Sequence, residues 1–199
     1  MADADEHSLI EAARGGDTEA FGVLVERYMP RAVAFARHMT GRADDASDLA
    51  QDAFVKAWRG IGSFKGESGF YTWFFRVLAN ICVDHLRKEA FRKKLFFFAR
   101  DRDDGGDETA DPVETAPDED PGSVPDVSLG RKELRAALGK AVRGLPARQR
   151  AVFLMKHVEG MKITEIAVAL GISEGAVKSH LVRSVTALRK GLKGYAPGS

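Results

Sequence analysis

Polar and charged side chains alternate with aromatic ones from Phe64 to Lys88. An apolar residue recurs every three or four positions, which predicts an amphipathic helix with a buried stripe made of Phe70, Trp73, Phe74, Val77, Leu78 and Ile81. The other face carries side chains able to contact base edges or phosphates, namely Arg76, Asn80, Asp84 and Arg87. The loop before it offers Phe64, Lys65 and Ser68, which can hold an unpaired base by stacking and polar contacts. A solvated helix opposite an aromatic core explains the same pattern, so both interpretations stay open.

A second group of polar side chains, near the carboxyl end, has the spacing of a helix-turn-helix. Thr164 to Leu170 predicts a short helix, Gly171 a tight turn and Ile172 a core contact. Ser173 is expected to cap a longer helix, whose buried side is Val177, Leu181, Val185 and Leu188.

The exposed side of that second helix is expected to contact DNA. The first residues of such a helix face base edges in the major groove, so we expect readout by Glu174, Lys178 and Ser179. His180 and Arg183 complete the face, and Arg183, Arg189 and Lys190 are expected at phosphates. A helical hairpin used only for packing leaves these polar side chains unexplained.

Clustered carboxylates at Asp44, Asp45, Asp48 and Asp52 raise the question of a metal site, but none is predicted. Acidic residues are favoured at a helix N-terminus by the helix dipole, and no histidine or cysteine stands beside them in the sequence. A metal-dependent enzyme is therefore the weakest hypothesis. A polar edge formed by Asp48, Gln51, Asp52 and Lys56 suits docking to another protein instead.

The remaining pattern predicts an all-α protein. Strong helix formers dominate the 199 residues, and no stretch alternates as a half-buried strand does. A first helix is expected over Ser8 to Arg14 and a second from Asp17 or Thr18 to Gly41, kinked or broken at Pro30. Asp44, Asp45 and Ser47 are candidates for the next N-cap.

An acidic, proline-containing segment divides the chain into two small helical domains. Few apolar residues occur between Asp101 and Pro125, so this segment is expected to be a flexible linker. We predict an N-terminal helical domain over 1–98, the linker over 99–127 and a four-helix helix-turn-helix domain over 128–195. From Arg131 onward the chain contains fourteen Lys and Arg residues but only four Glu residues, a basic excess typical of nucleic-acid binding.

The compartment is predicted from what the sequence lacks. Cys82 is the only cysteine, which excludes an intramolecular disulfide and fits a reducing environment. The acidic N-terminus does not resemble a signal peptide, and no apolar run approaches the roughly 20 residues of a membrane span. We expect a soluble cytoplasmic protein without a cofactor.

Several motifs in order resemble bacterial sigma factors of the extracytoplasmic function (ECF) group. They are EAFGVLVERYMPRAVAFARHMTG, DASDLAQDAFVKAWRGIGSF, GFYTWFFRVLANICVDHLRK and, after the linker, LPARQRAVFLMKHVEGMKITEIAVALGISEGAVKSHLVRSVTALRKGL. The resemblance omits the first few residues, the acidic linker and the aromatic run Phe96 to Phe98. It implies a non-enzymatic initiation subunit whose partners are core RNA polymerase, promoter DNA and an anti-sigma factor.

The resemblance also implies roles for individual residues. Asp48, Leu49, Gln51 and Asp52 would dock on the clamp helices of polymerase. The segment from Phe64 to Arg87 would hold the minus-ten element, with Lys65, Ser68 and Asn80 at a flipped base and Arg76 and Arg87 at the backbone. The helix beginning at Ser173 would read the minus-thirty-five element.

One alternative remains from the sequence. SEGAVKSHL alone resembles the DNA-binding domain of LuxR-type regulators. A regulator that works without polymerase would bind its operator tightly alone, as a dimer, and its N-terminal half would be a sensor.

Overall fold

The computed structural model describes residues 2–66, 68–100 and 125–193, and the regular elements in these ranges are all helical. The all-α class is thereby confirmed. In chain order the helices are α1 (Ala2–Arg14), α2 (Thr18–Thr40), α3 (Ala43–Gly60), α4 (Phe70–Arg100), α5 (Pro125–Arg143), α6 (Ala147–His157), α7 (Ile163–Leu170) and α8 (Glu174–Gly191), with a 3₁₀ turn at Ile61–Ser63. Within the described ranges, no helix has the length and apolar character needed to cross a bilayer.

Helix α2 begins and ends where the sequence predicts, but α3 does not. The Asp17 carboxylate accepts hydrogen bonds from two backbone N–H groups of the first turn, at 2.9 and 3.0 Å, and Gly41 ends α2 at φ 80°. The prediction for the next cap was wrong. Arg42 is the N-cap residue and makes no side-chain cap bond, while Asp44 and Asp45 lie in the first turn, where the helix dipole favours carboxylates.

Pro30 does not interrupt α2, which runs from Thr18 to Thr40 as one helix. The sequence predicted that Pro30 either kinks or breaks this helix, and the structure excludes the break. Proline removes one helical hydrogen bond, but α2 packs against α1, α3 and α4. We attribute the continuity to this tertiary packing.

Aromatic rings from three helices form the core of the N-terminal half. Phe54 of α3 stacks on Phe74 of α4 with ring centroids 4.3 Å apart, and Phe35 of α2 meets Phe75 of α4 edge-on at 5.5 Å. Burying such a side chain stabilises the fold by about 1.5–3 kcal/mol. Cys82 is fully buried beside them, and this burial raises the pKa of its thiol to about 12. The packing fixes which face of α4 points outward.

The helix-turn-helix forms as predicted from its local signals. Gly171 has φ 62°, a left-handed conformation that glycine adopts without strain. The Ser173 hydroxyl accepts a hydrogen bond from the Ala176 backbone N–H at 3.2 Å, which caps α8. Val177 is buried and Ile172 packs against the core, so the opposite face of α8 is left to solvent.

The two halves pack against each other through α4 on α6 and α7, and through α2 on α5 and α6. The guanidinium of Arg150 is buried in this interface and donates hydrogen bonds to the backbone carbonyls of Met39, Arg143 and Leu145. Burial, with a smaller contribution from Arg143, lowers the pKa of Arg150 to about 10. Arg150 therefore remains a cation at neutral pH, held by carbonyl groups from both halves.

The segment predicted as a linker over 99–127 is helical at both ends. Helix α4 continues to Arg100 and α5 begins at Pro125. Phe96, which the family resemblance left unassigned, is 75% exposed near the end of α4. Residues 101–124, and the flexibility predicted for them, lie outside the described residues.

Candidate nucleic-acid interface

The polar row predicted on the outer face of α4 is only partly accessible. Arg76, Asp84 and Arg87 are exposed, and Arg87 forms a 3.8 Å ion pair with Asp84 one turn away. Exposed pairs of this kind contribute little to stability, so their side chains can turn toward a ligand.

Asn80 is half-buried, and its Nδ2 donates a hydrogen bond to the backbone carbonyl of Ala169 in α7, at 3.2 Å. Contact between Asn80 and a base therefore requires α7 to move away from α4.

The loop before α4 places its aromatic residue differently from the prediction. Phe64 is only 7% exposed, and its ring contacts Phe70 edge-on at 6.1 Å and Trp73 at 5.2 Å. Phe64 therefore belongs to the core and does not offer a ring for base stacking, which corrects its predicted role. In the loop after Phe64, Lys65 is exposed and Ser68 is half-buried.

A polar contact between the halves, formed by Arg31, Tyr71 and Glu159 and called the Glu159 latch below, was missed by the sequence reasoning. The Glu159 side chain is 1% exposed and accepts hydrogen bonds from the Tyr71 hydroxyl and from Arg31 Nε, the latter at 2.8 Å. The Arg31 guanidinium also lies 4.6 Å from the centre of the Tyr71 ring. Burial, followed by the bond to Glu159, raises the pKa of Tyr71, so its hydroxyl stays protonated at neutral pH and donates the hydrogen bond to Glu159.

The polar edge predicted on α3 is exposed except for one residue. Asp48, Gln51 and Asp52 face solvent, whereas Leu49 is 6% exposed and packs into the core. The direct docking role assigned to Leu49 is corrected accordingly. Val55, which the sequence reasoning missed, is 49% exposed on the same side, because positions three and four residues apart share a helix face. The sequence signal for this exposure was that Val55 follows Gln51 by four residues and so shares its helix face.

The outer face of α8 carries most of the predicted readout residues. Glu174, Lys178, Ser179 and Arg183 are exposed. Val182 is 67% exposed one turn after Lys178 and was missed; an apolar side chain at this position can contact a thymine methyl group. This face therefore combines charged, hydroxyl and apolar contacts.

His180 is half-buried at the edge of that face. Burial lowers the pKa of its imidazole, and the nearby guanidinium groups of Arg183 and Arg148 lower it further. The ring is therefore neutral at neutral pH and does not act there as a phosphate-binding cation. Its Nδ1 is shielded from water without a hydrogen-bond partner among the described residues.

The four carboxylates at the start of α3 do not converge. Asp44, Asp48 and Asp52 are exposed along the helix, whereas Asp45 is half-buried against α4. Two of the four, Asp48 and Asp52, belong to the polar edge described above.

Family comparisons match both halves of the chain. The family model described as Sigma-70 region 2 matches residues 24–92, and that described as Sigma-70, region 4 matches residues 135–188. The first match includes α4 as far as residue 92, and the second includes the helix-turn-helix as far as residue 188. A polymerase-independent regulator does not explain the match of the N-terminal half, so this alternative is set aside.

Curated relatives extend over almost the whole chain. The RNA polymerase sigma-H factor of Pseudomonas aeruginosa is 29% identical over 94% of this chain and 94% of its own length. The ECF RNA polymerase sigma factor SigW of Bacillus subtilis is also 29% identical, over 92% of this chain and 95% of its own length.

Solved structures support the fold at low sequence identity. RpoE of Bartonella quintana, in complex with the anti-sigma factor NepR, has a TM-score of 0.65 at 24% identity and covers 88% of this chain and 98% of its own. CnrH, in complex with the cytosolic domain of CnrY, has a TM-score of 0.63 at 24% identity and covers 96% of this chain and 99% of its own.

Proposed function

The chain belongs to the ECF group of RNA polymerase sigma factors, and we propose that it directs core polymerase to one set of promoters through two separate DNA-reading surfaces. It is a promoter-recognising initiation factor and not an enzyme. The observation that carries the assignment is the ordered match to regions 2 and 4 on a chain whose α8 presents an exposed polar face. The proposed place of action is the cytoplasm, where polymerase works.

Polymerase docking is assigned to the outer edge of α3. Asp48, Gln51 and Asp52 supply polar contacts there, and the half-exposed Val55 supplies an apolar one. Leu49 acts indirectly, because its burial fixes the rotation of α3 and thereby the direction of the polar edge.

Recognition of the minus-ten element is assigned to the loop before α4 and to the outer row of that helix. Lys65, Ser68 and Asn80 are proposed to hold an unpaired base, while Arg76 and Arg87 contact the backbone. Unpairing a base costs a few kcal/mol, and favourable contacts to the extruded base offset this. Asp84 pairs with Arg87 in the free chain, and because the pair is exposed and weak, a phosphate can take its place at Arg87.

Recognition of the minus-thirty-five element is assigned to α8. Glu174, Lys178 and Ser179 are proposed to contact base edges, and a good bidentate contact discriminates against a wrong base by about 1–3 kcal/mol. Arg183 contacts phosphate, and Val182 adds an apolar contact. His180, being neutral, contributes hydrogen bonding at the edge of the face.

Use of both surfaces requires the two halves to separate. Asn80 is engaged by the Ala169 carbonyl in the closed arrangement, so it reaches a base only when α7 leaves α4. Polymerase binding to both halves would favour the separated arrangement. Once one half is bound, the tether makes binding of the other effectively intramolecular.

An anti-sigma factor is proposed as a regulatory partner. The sigma factor RpoE and the protein CnrH, which resemble this chain in fold, are each described in complex with another protein, for RpoE an anti-sigma factor. A partner that contacts both halves would hold the closed arrangement and keep Asn80 away from DNA.

The decisive experiment combines the purified full chain, core polymerase and a randomised promoter library, followed by sequencing of the transcripts. Discrete start sites preceded by two motifs at a constant spacing are expected. Lys178→Ala should alter only the upstream motif, and Lys140→Ala, on the exposed part of α5, serves as the matched control. Absence of specific initiation would refute the proposed function.

A further inference from the structure

Three side chains from α3 and α4 converge within the N-terminal half, away from the latch. Asp45 lies in the first turn of α3, and His85 and Glu89 lie on successive turns of α4. His85 Nε2 is 3.7 Å from Asp45 Oδ2 and 3.9 Å from Glu89 Oε2. One imidazole nitrogen and two carboxylate oxygens therefore lie close together, with all three atoms within 4.8 Å of one another.

Two of these atoms have unsatisfied bonding capacity. Asp45 Oδ2 and His85 Nε2 are shielded from water and form no hydrogen bond with any residue the structure describes. Leaving a buried polar atom unpaired is unfavourable. The nearest cation is Arg42, whose Nε is 3.3 Å from Asp45 Oδ2 and whose side chain is 59% exposed. Arg42 Nη1 also lies 3.9 Å from Glu89 Oε1, so this exposed guanidinium balances charge on both carboxylates.

We propose that Asp45, His85 and Glu89 bind one divalent transition-metal ion, with zinc the best match. Zinc takes imidazole nitrogen and carboxylate oxygen at about 2.0–2.2 Å, so its tetrahedral ligand atoms lie about 3.4 Å apart. The 3.7 and 3.9 Å separations of His85 Nε2 from the two carboxylates need only a small contraction to reach that geometry, and the carboxylate oxygens, which lie within 4.8 Å of each other, must also approach to about 3.4 Å. His85 and Glu89 are four residues apart on one helix, a spacing that places two ligands on the same face. Water completes the coordination.

The ion would join the first turn of α3 to the middle of α4. These two helices carry the proposed polymerase edge and the proposed minus-ten row, so the site lies between the supports of both surfaces. Because only the folded chain brings Asp45 to His85 and Glu89, metal binding stabilises the folded state by mass action. This proposal rests on contacts inside the N-terminal half and does not depend on the proposed function.

The test uses the full chain without an affinity tag, stripped of metal and titrated with zinc against a chromophoric chelator. We expect one ion per chain and a rise in melting temperature that follows occupancy. His85→Ala and Glu89→Gln should each weaken zinc binding by more than about tenfold, since losing even an outer-shell partner costs roughly 10- to 100-fold. His7→Ala, at an exposed histidine of α1, is the matched control and should bind as the parent does.

Binding of Co²⁺ gives an independent readout, because its visible absorption reports the ligand set directly. A Co²⁺ spectrum that is lost in Glu89→Gln and kept in His7→Ala supports the site. Glu89→Gln preserves side-chain volume, so it remains informative if His85→Ala fails to fold. The proposal is overturned if the parent chain shows no saturable zinc binding, or if Glu89→Gln binds zinc and Co²⁺ as the parent does.

Discussion

Tyr71→Phe removes a single hydroxyl from the Glu159 latch and should shift the free protein from the closed to an open arrangement. The ring, its packing and the position of Arg31 over it are retained in this variant. Only the hydrogen bond to the Glu159 carboxylate is lost, and that bond crosses between the two halves.

The size of the shift follows from the burial of Glu159, whose side chain is 1% exposed. A hydrogen bond to a charged group contributes about 1.5–3 kcal/mol. Since each 1.4 kcal/mol is tenfold, the ratio of closed to open molecules should fall by roughly 10- to 150-fold. The Arg31 ion pair to Glu159 is retained in the variant, so it does not offset the lost hydrogen bond.

The assay is energy transfer between one fluorophore on the exposed side of α3 and one on α8, in the full chain without polymerase. Lower transfer and a larger radius of gyration in solution scattering are expected for Tyr71→Phe. Cys82 does not interfere with thiol labelling, because it is fully buried.

Tyr28→Phe is the matched control. The Tyr28 hydroxyl donates to the Glu6 carboxylate at 2.6 Å, but both residues belong to the N-terminal half. Tyr28→Phe should therefore lower stability without separating the halves. Equal distance changes in the two variants, or no change in Tyr71→Phe, would refute the reasoning.

Four other predictions follow from the same structure. Asn80→Ala should lower open-complex formation while polymerase binding stays nearly intact, and equal losses in a gel-shift and a permanganate assay would contradict the assigned role. Lys178→Ala should weaken duplex binding by about 1–3 kcal/mol at its cognate base, whereas Arg189→Ala should weaken all sequences alike and reduce the salt slope by about 1; base-selective loss in Arg189→Ala would reverse the two roles. The Cys82 thiol, with its pKa raised to about 12 by burial, should react with a disulfide reagent at pH 8 only as fast as the chain unfolds, and rapid labelling would disprove this. Partial desolvation lowers the pKa of His38, whose side chain is nevertheless exposed, so the folded state binds slightly fewer protons there and only a small, solvent-screened loss of stability is expected as pH drops below about 6.5; His38→Gln should reduce that loss in denaturant titrations, and an unchanged pH profile would argue against it.

Much of the fold was predictable because its signals are local. Gly171 and Ser173 specify a turn and a cap through their own backbone and side-chain chemistry, and the apolar spacing of α8 follows from helix geometry. Asp17 and Gly41 mark the ends of α2 for the same reason. Each of these signals spans only a few residues.

Which residues of a helix are buried and which are exposed was harder to predict, because this depends on the helices that pack against it. Leu49 was given a contact role by resemblance and Phe64 by its place in the loop, but both are buried in the core of the N-terminal half. Val55 and Val182 were missed because an apolar residue is assumed to be buried until its neighbours are known.

The sequence by itself determined the helical class, the helix-turn-helix, the basic C-terminal half and the order of motifs typical of an ECF sigma factor, since all of these are contained in composition and short-range spacing. Only the tertiary structure decided which distant residues meet. The pairs Tyr71 with Glu159, Asn80 with Ala169 and Asp45 with His85 join different helices, and no local preference encodes them. Such contacts arise because buried apolar faces fix how helices pack, and the polar side chains at the borders of those faces then take the partners that packing brings to them.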